Sequence, residues 1–117
     1  MYQKLADKQV VIQGTDAYSA GIPLTGANTV QVEWTLFSLS GTTPTLTVSL
    51  QESNDLENWG TTLGTVMGTV ASLSGPGYAS FGYKQIAAQY VRLKYSASAA
   101  TGSATGVVSA GINTVII

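Results

Sequence analysis

Strict alternation of apolar and polar residues constrains this chain most. Val30, Val32, Trp34 and Leu36 alternate with Gln31, Glu33 and Thr35. Leu46, Val48 and Leu50 alternate with Thr45, Thr47, Ser49 and Gln51, and Val91, Leu93 and Tyr95 alternate with Arg92, Lys94 and Ser96. Successive side chains of a strand point to opposite faces, so each run is a strand with one face in a core and the other outside. The residue types agree, being rich in Val, Thr, Tyr and Trp. No stretch carries a sustained helical stripe, and only Tyr83–Gln89 leaves room for one short helical turn.

Gly, Ser, Thr and Pro punctuate these runs. Ser40-Gly41-Thr42-Thr43-Pro44, Ser53-Asn54-Asp55 and Ser74-Gly75-Pro76-Gly77 are turn sequences, and the small residues of Ala97–Gly106 read as a loop. Strands are expected near 8–13, 29–39, 45–53, 61–70, 78–83, 89–97 and 105–116. The expected fold is all-β: a single antiparallel β-sandwich of Greek-key or jelly-roll type, with about seven to eight short strands. All 117 residues fit one domain. Within it, 1–8 reads as an N-terminal arm and 14–28 as a long loop.

Composition excludes much chemistry. The chain has no His and no Cys, which removes thiol nucleophiles, disulfides and His-dependent catalysis. A Ser nucleophile would need Lys84 or Lys94 as its base, and neither lies in a Ser-x-x-Lys pattern. Glu33 and Glu52 could face each other on neighbouring strands as a carboxylate pair, but a polar sheet face explains both more simply. Glu52, Asn54, Asp55 and Glu57 could hold Ca²⁺, but the segment lacks the glycine and ligand alternation of a calcium loop. It reads instead as a turn closed by Asn54 or Asp55, with Trp59 folded back onto the core. The expectation is a non-enzymatic protein with no metal and no cofactor.

Charged residues make up only 9% of the chain, with a net charge of −1, which disfavours nucleic acid as a partner. No apolar h-region follows Met1, and no window reaches the length of a membrane helix, so neither secretion by a leader nor membrane insertion is expected. Residues 1–58 hold all six acids and two Lys, whereas 59–117 hold three cations and no acid. That asymmetry reads as pairing within one fold, or as head-to-tail attraction between copies.

The outer strand faces carry hydroxyls where soluble monomers carry charges. Ser and Thr number 27 and Gly 13, so few cations remain to guard sheet edges against association. Trp34 and Tyr95 share the phase of core residues. Trp34, Trp59, Tyr78, Tyr83, Tyr90 and Tyr95 could form a platform for stacking sugars, but Phe37 and Tyr90, on the opposite phase, mark a surface for other proteins more readily than a sugar site.

Ser40-Gly41-Thr42-Thr43-Pro44-Thr45-Leu46-Thr47-Val48-Ser49-Leu50-Gln51-Glu52-Ser53-Asn54-Asp55, followed by Trp59, resembles a strand-and-turn pattern of small tailed-phage and prophage structural proteins. Gln89-Tyr90-Val91-Arg92-Leu93-Lys94-Tyr95-Ser96 is similar to a later strand of the same pattern. Leu56 departs from it, standing where Gly is usual. The resemblance implies a virion protein, made in the host cytoplasm and bound as a head decoration (cement) protein outside the major capsid protein, with copies of itself as further partners in a trimer. Met1, Tyr2, Lys4, Phe37, Tyr90, Val115, Ile116 and Ile117 are the candidate contact residues. Carbohydrate-binding sandwiches share a similar turn and strand, which makes a glycan- or cell-surface-binding module, tail-associated or not, the alternative.

The alternation makes a direct prediction. Val48→Asp places an unpaired charge at a core position, at a cost of several kcal/mol, and should abolish folding. Circular dichroism of the purified variant checks this, and a soluble, folded Val48→Asp protein would disprove the strand register.

Overall fold

The computed structural model describes residues 1–61, 72–80 and 84–117. They form an all-β sandwich of two antiparallel sheets, with no helix among the described residues. The strands in chain order are β1 (Tyr2–Ile12), β2 (Ala17–Tyr18), β3 (Ile22–Pro23), β4 (Thr29–Thr42), β5 (Thr45–Ser53), β6 (Gly60–Thr61), β7 (Ser72–Leu73), β8 (Gly77–Ser80), β9 (Lys84–Gln85), β10 (Tyr90–Ser98) and β11 (Thr101–Val115). The first sheet runs β1-β11-β4-β8, with β9 also on β4. The second runs β2-β10-β5-β6, with β3 on β10 and β7 on β5.

One long ribbon builds most of this. β5 and β10 pair without interruption from Tyr90↔Ser53 to Ser98↔Thr45, and the same register carries across the sheet boundary to Thr101↔Thr42. There the ribbon bends and continues as β4 and β11 in the first sheet. Two links make the bend together: Thr43–Pro44 joins β4 to β5, and Ala99–Ala100 joins β10 to β11. The Ala100 N–H donates to the Thr42 carbonyl at 2.9 Å and ties the links to each other. Thr43 (φ 48°), Gly41 (φ 119°) and Gly102 (φ 75°) take the left-handed conformations of the bend. Pairing of strands remote in sequence across two sheets is the Greek-key and jelly-roll character expected.

Folding the ribbon over brings its alternating faces together. Val32, Trp34 and Leu36 of β4, Leu46, Val48 and Leu50 of β5, and Val91, Leu93 and Tyr95 of β10 are all at most 1% exposed, joined by Val108 and Ile112 of β11. Burial pushes the Tyr95 phenol pKa upward, so it stays neutral inside the core. Their neighbours Gln31, Glu33, Thr47, Ser49, Arg92 and Lys94 lie on the outer faces, half-buried by flanking side chains.

Several expected boundaries move. Residues 1–8 are not an arm: β1 begins at Tyr2 and pairs with β11 from Tyr2↔Asn113 onward. Register shifts between Lys4 and Ala6 and between Ala6 and Gln9 break the alternation there, which hid the strand from its pattern. The 14–28 segment crosses the end of β10 and pairs with it through β2 and β3, burying Ile22 and Leu24. The loop expected at Ala97–Gly106 shrinks to a short link, because backbone pairing with β4 overrides the weak strand preference of its small residues. No helical turn forms at Lys84–Gln89, where the Ile86 N–H instead donates to the Asn28 carbonyl. Most of the strand expected at 61–70, and the 81–83 end of the one expected at 78–83, lie outside the described residues.

Gly106 shows how tightly the sheets close at the bend. A Cβ there would lie 2.5 Å from Leu46 Cδ1 and 3.3 Å from Leu39 Cδ1. Gly106→Val should destabilise the fold by about 1–3 kcal/mol through overpacking. Gly75→Ala, at an open turn with no atom near the added carbon, should stay within about 0.5 kcal/mol. Urea denaturation midpoints compare the two.

Candidate interaction surface

The outer faces of the two sheets differ. The second sheet is polar outside, with Thr47 bonded to Ser72 at 2.9 Å and Lys94 paired with Asp16 at 3.4 Å. That ion pair joins the acidic and basic halves of the chain within one molecule. At the centre of this face the Arg92 guanidinium lies 4.3 Å from the ring centroids of both Tyr18 and Trp59, and its Nε donates to Gln51 Oε1 at 2.7 Å. Trp59 therefore packs over Arg92 and not onto the core.

The turn before Trp59 explains its placing. Ser53 Oγ accepts the Asp55 and Leu56 N–H groups, and Asp55 Oδ1 accepts those of Glu57 and Asn58. The N–H donors of Asn58 and Glu57 and the Ser53 hydroxyl hold the Asp55 carboxyl well below the usual carboxylate range. Asn54 Oδ1 accepts the Gln89 N–H at 3.1 Å. The Asp55 and Asn54 oxygens thus close the turn onto itself and onto the β10 entry. Leu56 takes φ 65°, the conformation that glycine usually supplies, and its carbonyl accepts Trp59 Nε1–H at 3.1 Å. Glu33 and Glu52 lie on different sheets, so they do not form a facing pair.

The first sheet carries exposed aromatic and aliphatic side chains outside, among polar and charged neighbours. Tyr2 (53% exposed), Phe37 (47%) and Tyr78 (61%) stand on it, with Val10 and Ile12 farther along β1. Phe37 is the unpaired residue of a bulge, since Leu36 faces Val108 and Ser38 faces Val107. Tyr2, Lys4 and Phe37 line a shallow depression of about 320 Å³ with Lys8, Glu33, Tyr78, Ser109 and Gly111. Tyr78 Oη donates to Glu33 Oε2 at 2.9 Å. Partial burial and the neighbouring Glu33 raise the Tyr2 pKa, and the hydrogen bond to Glu33 raises that of Tyr78, so both phenols stay protonated.

The other candidate contact residues gather at one end of the sandwich. Met1, Val115 and Ile116 border a hollow beside Pro23, Leu24 and Thr25, and Tyr90 borders an adjoining one shared with Ile86. The Met1 amino group donates to the Thr114 carbonyl, and the Asn28 side chain bonds both N–H and carbonyl of Ile117. The eight residues thus fall on two surfaces. Tyr78, one of the aromatics suited to a sugar platform, joins the first surface, as do outward-facing Glu33 and Gly111, which are not among the candidate contact residues. A glycine inside a strand pattern signals a close approach, which was the available clue to Gly111.

The edges are better guarded than composition implied. β1 is an 11-residue strand paired on one side only among the described residues. Two of the five cations, Lys4 and Lys8, lie on it together with two register shifts, and Lys8 is twisted to φ 54°. Cations and bulges are what blunt an edge against strand addition. Tyr2, Val10 and Ile12 are exposed on this edge strand, and Phe37 and Tyr78 on β4 and β8.

Fold and surface together define a charge-poor β-sandwich with one polar and one aromatic outer face. No family model matches the sequence, and no curated protein matches it. Among solved structures it is similar to the PBSX exported protein XepA, with TM-score 0.66 and 11% identity over 100% of this chain and 37% of that one. It is also similar to latent PorU of Porphyromonas gingivalis, with TM-score 0.50 and 14% identity over 97% of this chain and 12% of that one. The chain thus spans little more than a third of the first protein and about an eighth of the second, and the likeness establishes the fold. A chain of the cyanophage Pam1 capsid asymmetric unit superposes more loosely, with TM-score 0.45 and 16% identity over 97% of this chain and 81% of that one.

The Asp55 turn gives a pH prediction. Its carboxyl pKa is depressed in the folded state, so its contribution is full above the unfolded value of 3.8 and is lost as pH falls below it. Asp55→Asn should lower the melting temperature at pH 7 and reduce the loss of stability between pH 4 and pH 2, measured as about two-unit thermal scans across that window.

Proposed function

We propose that this chain is a non-enzymatic structural protein of a phage virion, most specifically a head decoration protein bound outside the major capsid protein. The observation that carries the reading is the outer face of the first sheet, where Tyr2, Val10, Ile12, Phe37 and Tyr78 are all about half exposed or more. Exposed apolar groups gathered on one face of a small domain mark a protein interface. The strand-and-turn pattern of residues 40–59 supports the virion assignment, and the similarity to a protein named as exported fits work outside the cytoplasm. Many copies on a lattice turn modest contacts into firm retention, which suits a surface of this size. Association with copies of itself, as a trimer, belongs to the same proposal, with the Met1, Val115 and Ile116 end available for that contact.

A glycan-binding module is the second reading. Tyr2 and Tyr78 beside the Glu33 carboxylate favour it, since aromatic rings next to an oxygen acceptor can also hold a sugar.

Co-sedimentation with candidate phage capsids tests the first reading. The protein should be retained on particles, and retention should survive about 0.5 M NaCl, because an apolar contact is weakly screened. Phe37→Asp and Tyr78→Asp should each weaken retention about tenfold or more, as loss of an aromatic anchor does. Ser49→Asp on the opposite face should leave it unchanged. Deleting residues 1–8 would not test this face, because it would also remove most of β1 and the buried Ala6. Failure to bind any capsid, with binding to glycans instead, would establish the second reading.

A further inference from the structure

Tyr2 lies against the sheet in an unusual way. A Cβ built on Gly111 would overlap the Tyr2 Oη, Cζ and Cε1 atoms, so the phenol ring rests directly on the β11 backbone. An aromatic ring laid over a strand glycine holds the ring and covers the backbone. The residue nevertheless remains 53% exposed, so it is still open to a ligand. Glu33 stands beside it, bonded to Tyr78 and at the floor of the depression. Lys4, Lys8, Arg92 and Lys94 all keep their side-chain nitrogens more than 4.0 Å from the Glu33 carboxylate. The two cations that line the depression are directed elsewhere, Lys4 to Asp7 at 3.3 Å and Lys8 over the Phe37 ring at 5.8 Å.

The same chain shows which group such a setting suits. On the second sheet Arg92 stacks against aromatic rings and bonds sideways to the Gln51 oxygen. A guanidinium is planar and carries its donors in its own plane, so it can stack flat on a ring and bond sideways at once, whereas an ammonium has no planar face to stack. Tyr2 and Glu33 present the same pair of features, a ring face and an oxygen acceptor, with a negative charge added.

We propose that this face receives an arginine side chain of the docking protein, its guanidinium stacked on Tyr2 and paired with Glu33. Phe37 and Tyr78 border the contact and exclude water from it. Arginine set among aromatic residues is a frequent centre of binding energy at interfaces. The inference rests on the assembly reading above and names the chemistry of the partner.

The test needs no knowledge of the partner. Blocked arginine (N-acetylarginine N-methylamide) is titrated into the isotope-labelled protein at low salt and followed through amide shifts. Its neutral isostere, blocked citrulline, and a set of methyl glycosides are titrated in parallel. Arginine should move the amides of Tyr2, Glu33, Tyr78 and Gly111 with affinity in the millimolar range, and citrulline should bind roughly threefold to tenfold more weakly. Glu33→Gln should reduce arginine to the citrulline level, and Tyr2→Leu should weaken both ligands while leaving the rest of the spectrum in place. Equal binding of arginine and citrulline, or arginine binding unchanged in Glu33→Gln, would overturn the proposal. Glycosides that move these amides where arginine does not would overturn it in favour of a sugar site. Arginine binding by a protein that no capsid retains would uphold the site and remove only the virion assignment.

Discussion

The structure depends on one long-range pairing. Residues 29–53 and 90–115 form a single antiparallel ribbon, held in one register from Tyr90↔Ser53 to Thr101↔Thr42 and bent where the two links cross between sheets. Every large core residue of β4, β5, β10 and β11 owes its burial to that bend, since a flat ribbon would leave its apolar face in water. Closing it demands residues that tolerate left-handed backbone and close approach, which Gly41, Gly102 and Gly106 supply. Contacts of such sequence separation form late and slowly, because chain entropy must be lost before they contribute.

The remaining segments finish what the ribbon begins. β1 adds to β11 and covers the core with Ala6 and Val11, while the 14–28 segment clamps β10. Two register shifts then distort β1, the long open edge of the first sheet among the described residues. With the edge guarded and the second sheet polar, the outer face of the first sheet is left as the surface on which another protein can sit. β1 itself brings Tyr2, Lys4 and Lys8 together onto that face.

The core was legible in the sequence because alternation is a local signal. Val32, Trp34 and Leu36 occupy the predicted side, since a one-residue slip would have exposed all three. β1 was illegible beyond its last residues for the same reason reversed: its bulges destroy the period that pattern reading relies on. The start of β11 carries no local strand signal because Thr101–Gly106 are small, and only the partner strand supplies their reason to be extended. Of the surface residues, Phe37 was legible from its phase and Tyr2 only as part of the terminus. Glu33 and Tyr78 were visible as residues but not as neighbours, because they lie 45 positions apart and meet through β4–β8 pairing.

The sequence by itself determined that this chain is an all-β sandwich poor in charge, without His or Cys and with hydroxyl-rich outer strands. Those properties are sums or short-range periods, which need no knowledge of distant contacts. Tertiary structure alone decided which sheet would be aromatic outside, that Trp59 would stack on Arg92, and that Tyr2 would lie across Gly111 beside Glu33. Each of these joins residues brought together by strand order and register. That geometry is set by how the ribbon folds over, and no local pattern records it.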